Sequence, residues 1–83
     1  ANKVLVGAVN SEICLEMGLF YEENQDLEEA AVWFYNAVYE AQPILSLESG
    51  RRHSLEGLVR CYEKMDLPEQ ADIYREELKR LED

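Results

Sequence analysis

The chain has 83 residues, 47% of them apolar, with 18 acidic against 8 basic side chains and a formal net charge of −10. That length allows one domain, spanning residues 1–83, which buries roughly two-thirds of the surface its unfolded form exposes and so depends on dense apolar patterning or on a neighbour. The apolar share excludes disorder, and the negative charge repels phosphate backbones and anionic lipid, so neither nucleic acid nor a membrane is an expected partner.

The opening stretch ANKVLVGAVNSE lacks the longer apolar core of a signal peptide, and no apolar run approaches the roughly 18 residues of a membrane span. A soluble, cytoplasmic domain is expected. The start at Ala1, without methionine, reads as a processed start or, the reading preferred, as an excised piece of a longer polypeptide.

Val6, Val9, Ile13, Met17 and Phe20 recur every three or four positions, flanked by Leu5, Cys14 and Tyr21, which predicts a first helix over about residues 3 to 23 with that stripe as its apolar face. The group ENQD then breaks the pattern. Asp26, with Glu29 three residues later, forms a capping-box-like start for a second helix near Leu27. Ala30, Ala31, Ala37 and Ala41 place small residues where another backbone approaches, and Trp33, Phe34 and Val38 fill the space between helices. Pro43 lacks the amide hydrogen of a helical ladder, so this helix ends at Gln42 or, the reading taken here, kinks and continues to about Leu47.

SLESGRRHS is the one long break, with Gly50 suited to a helix stop, and Leu55, Leu58, Val59 and Tyr62 carry a third helix over about residues 52 to 65. In MDLPEQA, Asp66 is a cap and Pro68 a first-turn residue, opening a fourth helix over about residues 68 to 82 on Ala71, Tyr74, Leu78 and Leu81.

The pattern repeats. Tyr21 to Ala30 is nine positions and Ala30 to Ala37 seven; Tyr62 to Ala71 is again nine and Ala71 to Leu78 again seven, with the copies 41 residues apart. Each copy is a helix, a polar turn and a helix with alanine opposite the first helix's tyrosine, as close antiparallel packing requires. The fold class is all-α: four antiparallel helices in two repeats, about residues 3–47 and 52–82.

LEMGLFYEENQDLEEAAVWFYNAVYEAQP resembles a tetratricopeptide repeat, through Met17, Gly18, Tyr21, Asp26, Ala30, Phe34, Ala37 and Pro43. The second copy is similar at Leu58, Tyr62, Ala71 and roughly Tyr74, but has Val59 in place of glycine and Leu78 in place of alanine. The spacing of 41 rather than 34 is attributed to a longer second helix. The resemblance implies a short right-handed α-solenoid that binds a protein or peptide. It also implies a groove lined by the first helix of each pair: Glu12, Leu15, Leu19, Glu22 and Glu23 beside His53, Glu56, Arg60, Glu63 and Lys64. Where the groove that clamps the C-terminal carboxylate of heat-shock chaperones has Lys and Asn, this chain has Leu15 and Leu19, so no such clamp is expected, though Arg60, Lys64 and His53 offer local attraction to an acidic segment.

A narrower resemblance rests on NKVLV, WFYNAVYEAQPIL and LEGLVRCYEKM, which are similar to the helical segment attached to family-2-type glycosyltransferases of anaerobic gram-positive bacteria. It implies a bacterial, cytoplasmic, non-catalytic appendage that orients or dimerises a catalytic domain.

Chemistry-bearing patterns are sparse. His53 is the only histidine and reads as an exposed structural residue at a helix start. Glu22–Glu23, Glu28–Glu29 and Glu76–Glu77 read as solubilising charge, with no calcium-loop spacing around them. No glycine-rich phosphate loop or nucleophile elbow occurs, so no enzyme, cofactor or metal is expected. Cys14 and Cys61 sit inside apolar helical patterns and read as buried free thiols suited to a reducing compartment.

The aromatics Phe20, Tyr21, Phe34, Tyr62 and Tyr74 read as core, whereas Trp33, Tyr35 and Tyr39 crowd their helix enough to reach a third element or a second chain. Residues 1–45 hold one base and eight acids, net −7; residues 46–83 hold seven bases and ten acids, net −3. The fourth helix, apolar on one side and charged on the other, is patterned as a terminal cap, with continuation or docking expected upstream, where Leu5, Val6 and Val9 are apolar.

Overall fold

The computed structural model describes residues 11–40 and 48–82. Within them the chain forms helices joined by short turns: α1 (Ser11–Glu23), α2 (Leu27–Tyr35), a π-helical turn (Asn36–Glu40), α3 (Glu48–Lys64) and α4 (Pro68–Glu82). No strand occurs among the described residues. The start of the first helix, its Val6 and Val9, and the passage through Pro43 lie outside them.

The two turns are built alike. In the first, the Asp26 amide donates to the Tyr21 carbonyl at 2.9 Å and the Gln25 amide to the Glu22 carbonyl at 3.0 Å, with Gln25 at φ 65°. In the second, the Leu67 amide donates to Tyr62 at 2.8 Å and the Asp66 amide to Glu63 at 3.0 Å, with Asp66 at φ 63°. Both are Schellman closures, in which a left-handed residue lets the last helical carbonyls find donors. Every partner in the second is 41 positions beyond its counterpart in the first. The first helical bonds that follow, Ala30 to Asp26 and Ala71 to Leu67, keep the same offset.

These turns correct the capping assignments. Asp26 precedes α2 at φ −91° and ψ 77° but makes no side-chain cap bond, so the capping box is not formed. Asp66 is the left-handed residue closing α3 rather than a cap of α4, which begins on Pro68. In both cases the backbone closure uses the segment that side-chain capping would need. A third difference is that α3 starts at Glu48, so Gly50 lies in its first turn and does not stop the helix. A glycine there costs about 1 kcal/mol, which burial of Ser54, Leu55, Leu58 and Cys61 along one face offsets.

Each helix packs on its sequence neighbour, and α1 also lies against α3. The core holds Ala30, Ala31, Phe34 and Val38 from α2 and the turn after it, Leu55, Leu58 and Cys61 from α3, and Tyr74 from α4. Phe34 is its centre, fully buried, and two glycines make room for it. A Cβ on Gly18 of α1 would stand 2.6 Å from Phe34 Cδ1 and Cε1, and one on Gly57 of α3 would stand 2.6 Å from Cε2 and Cζ. The ring is thus held edge to edge between two bare backbones. Ala30 and Ala71 are both fully buried, as close packing of paired helices demands.

The inward face of α1 is not the stripe read from the sequence. Cys14, Gly18 and Glu22 are buried, whereas Ile13 and Phe20 are exposed. Small side chains let the neighbouring helices approach, so the larger apolar groups of α1 are turned outward. Phe20 therefore leaves the core, resting edge-on to Tyr21 with ring centroids 5.3 Å apart.

Candidate functional site

The C-terminal halves of α1 and α3 meet at an ion cluster. Glu22, whose carbonyl takes part in the first Schellman closure, is buried, and Arg60 reaches it from α3 with Nε 2.8 Å from Oε2 and Nη2 2.9 Å from Oε1. Lys64, one turn further on, places Nζ 3.5 Å from Oε2. The hydrogen bonds from Arg60 hold the Glu22 carboxyl below its ordinary range against the opposing effect of burial, and the Glu22 bond raises Arg60 in turn. The pair is a fork-to-fork clamp, bidentate and charge-assisted, that fixes the spacing of α1 and α3.

Beside this clamp lies a groove of about 700 Å³, walled by Glu16, Leu19, Phe20 and Glu23 of α1 and by Lys64 of α3. Leu19 is 45% exposed and Phe20 56%, adjacent apolar side chains flanked on this face by the carboxylates of Glu16 and Glu23. The structure thus gathers Leu19, Glu22, Glu23, Arg60 and Lys64 from the expected groove set. Leu15 instead packs partly buried against the core. Glu12 and His53 are exposed near the N-terminal ends of their helices, and Glu56 is half-buried. Glu63 turns the other way and pairs with Arg75 of α4, which also holds Asp72.

Glu16 and Phe20 belong to the groove and are absent from the expected set. Their signal was available: Glu16, Leu19, Phe20 and Glu23 lie at i, i+3, i+4 and i+7, one continuous helical face. It was obscured because Phe20 also completes the 13–17–20 apolar spacing.

A second, smaller groove of about 370 Å³ opens between α2, α3 and α4, lined by Val32, Tyr35, Tyr62, Met65, Leu67 and Tyr74 among others. Tyr62 and Tyr74 stack at 5.7 Å, and Tyr35 leans on Tyr39 at 4.7 Å. Tyr35 and Tyr39 are 42% and 40% exposed, and Trp33 carries a buried Nε1 with no hydrogen-bond partner.

Both cysteines are buried free thiols. Burial raises the Cys14 thiol, and burial with the nearby Glu22 charge pushes Cys61 up to about 11. Among the described residues no three His, Cys, Asp or Glu side chains are arranged to hold a metal ion, and no helix is long and apolar enough to cross a membrane. Comparison with protein-family models, with curated proteins and with solved structures finds no match to this chain.

Proposed function

We propose that the chain is a non-catalytic, cytoplasmic protein-binding module made of two tetratricopeptide-like repeats, stacked as a short right-handed solenoid, with the α1–α3 face receiving a segment of a partner. The repeat reading is supported by the two turns, whose hydrogen bonds recur at an offset of 41 residues, and by α1 lying against α3. The observation that carries the binding role is the pair Leu19 and Phe20, exposed side by side on the groove beside the Glu22–Arg60 clamp. Burying them under a partner stabilises a complex at roughly 25 cal/mol per Å² of apolar surface, while the surrounding carboxylates select orientation. The test is a purified partner titrated by calorimetry against the wild-type chain and a Leu19→Ser/Phe20→Ser variant. An affinity loss of about tenfold or more with an unchanged melting temperature is expected, and equal binding by both would sink the reading.

The groove at Tyr35 and Leu67 favours a second role, a structural appendage that docks or dimerises a bacterial glycosyltransferase of the family-2 type through its aromatic face. Sedimentation of wild type against Tyr35→Ser separates the two: a tight dimer lost in the variant supports the appendage.

A further inference from the structure

We infer that the segment taken up by the α1–α3 groove is a basic amphipathic helix, with two Lys or Arg residues seven positions apart flanking an apolar pair. This rests on the binding role proposed above and adds the chemistry of the partner.

The argument starts from the register of α1. Glu16 and Glu23 are seven residues apart, about 10 Å along the helix axis, and Leu19 and Phe20 lie between them. All four line the same groove. Glu16 and Glu23 are exposed, and among the described residues neither has an ion-pair partner, because Lys64 and Arg60 are committed to Glu22. The groove therefore offers an apolar centre with an unneutralised carboxylate at each end. An apolar segment without cations would bury Leu19 and Phe20 but leave both carboxylates partly desolvated and unpaired. An acidic segment would meet repulsion at both ends. Two cations spaced by seven on a partner helix fall opposite the two carboxylates while the apolar positions between them fall on Leu19 and Phe20.

A second copy of this chain is not that partner. Its eight basic residues stand at 3, 51, 52, 60, 64, 75, 79 and 80, and no two of them are seven apart.

The experiment uses the full chain and synthetic peptides of about 18 residues, long enough to form a helix on binding. The first carries Lys at i and i+7 with Leu at i+3 and i+4, the second the same residues permuted off one face, and the third Glu in place of Lys. Affinities are read by fluorescence anisotropy at physiological salt and the contact is mapped by amide chemical shifts. The patterned Lys peptide is expected to bind about tenfold or more tightly than either control. Leu19→Ser/Phe20→Ser weakens it by a similar factor, and Glu16→Lys/Glu23→Lys transfers the preference to the Glu peptide. Equal binding of the permuted peptide overturns the inference, as does sedimentation showing that the chain pairs with itself through Leu19 and Phe20. Tight binding of the Glu peptide at Leu19 and Phe20 overturns the partner chemistry while leaving the groove's binding role standing. Shifts confined to the Tyr35 and Leu67 face overturn both.

Discussion

The two helix–turn–helix units differ most at positions that the 41-residue offset makes equivalent. Phe34 in the first unit is fully buried, whereas Arg75, 41 positions on, is half-exposed and paired with Glu63 and Asp72. Glu22 is buried under Arg60 and Lys64, whereas its counterpart Glu63 is half-exposed. The turns beside these residues share one hydrogen-bond pattern, so local structure does not separate them. The following helix does. Across the first unit lies α3, which contributes Gly57 to the Phe34 pocket and Arg60 to Glu22; no described element lies across α4 in the same way. Burial at these positions depends on the helix packed across them as much as on the residue itself.

The largest test of this contrast is truncation at the two equivalent positions. Phe34→Ala is expected to destabilise by about 3–5 kcal/mol, enough to unfold a domain of this size near body temperature, whereas Arg75→Ala should change stability by less than about 1 kcal/mol. Thermal denaturation followed by circular dichroism reads both, and similar losses would contradict the asymmetry.

Next in size is Gly57→Ala. On an open helix face this exchange gains about 1 kcal/mol. Here the new methyl would land 2.6 Å from the Phe34 ring, so a net loss of roughly 1–3 kcal/mol is expected. Part of that loss should be recovered by Phe34→Leu, which a double-mutant cycle in urea would detect.

The ion pairs give a smaller contrast. Arg60→Met leaves Glu22 buried with Lys64 alone and should cost about 1–2 kcal/mol, while Arg75→Met should cost less than about 0.5 kcal/mol because its partners are hydrated. The pH dependence follows the same logic. Since the folded state lowers the Glu22 carboxyl, its stabilisation is complete above the unfolded value of about 4.3 and is lost as pH falls through the lower folded value. Denaturant midpoints measured downward from pH 5 should therefore decline less steeply in Arg60→Met than in the wild type.

The smallest effect compares the turns. Gln25 and Asp66 hold left-handed backbone, which aspartate tolerates better than glutamine. Gln25→Gly is expected to raise stability by about 0.5–1 kcal/mol and Asp66→Gly by only a few tenths. Equal gains would mean that the Gln25 conformation carries no more strain than that of Asp66.

Much of this arrangement was legible in the residues. Helical periodicity, Pro68 and the polar turns located the starts of α2 and α4 and the end of α3 closely, and the alanines at 30 and 71 were readable as close-packing positions because only small side chains recur at that interval. The π-helical turn at Asn36–Glu40 was not readable, since Ala37 and Val38, which it buries, also fit an α-helical spacing from Ala30 and Phe34. Nor was the outward turn of Phe20, because an apolar spacing shows that two faces differ without stating which one a neighbour covers. Of the groove, Leu19, Glu22, Glu23 and Lys64 were expected from the repeat resemblance, whereas Glu16 and Phe20 emerged only with α1 oriented.

Composition and periodicity suffice for the order of the described helices, the polar turns between them, the alanine interval and the two thiols buried within helical patterns, because these depend on residues a few positions apart. The clamp between Glu22 and Arg60, 38 residues apart, and the glycine from α3 that admits the Phe34 ring depend on how separate helices rotate and approach. That rotation is set by the fit of small and large side chains across an interface whose two sides lie far apart along the chain, so it becomes visible only when the helices are packed.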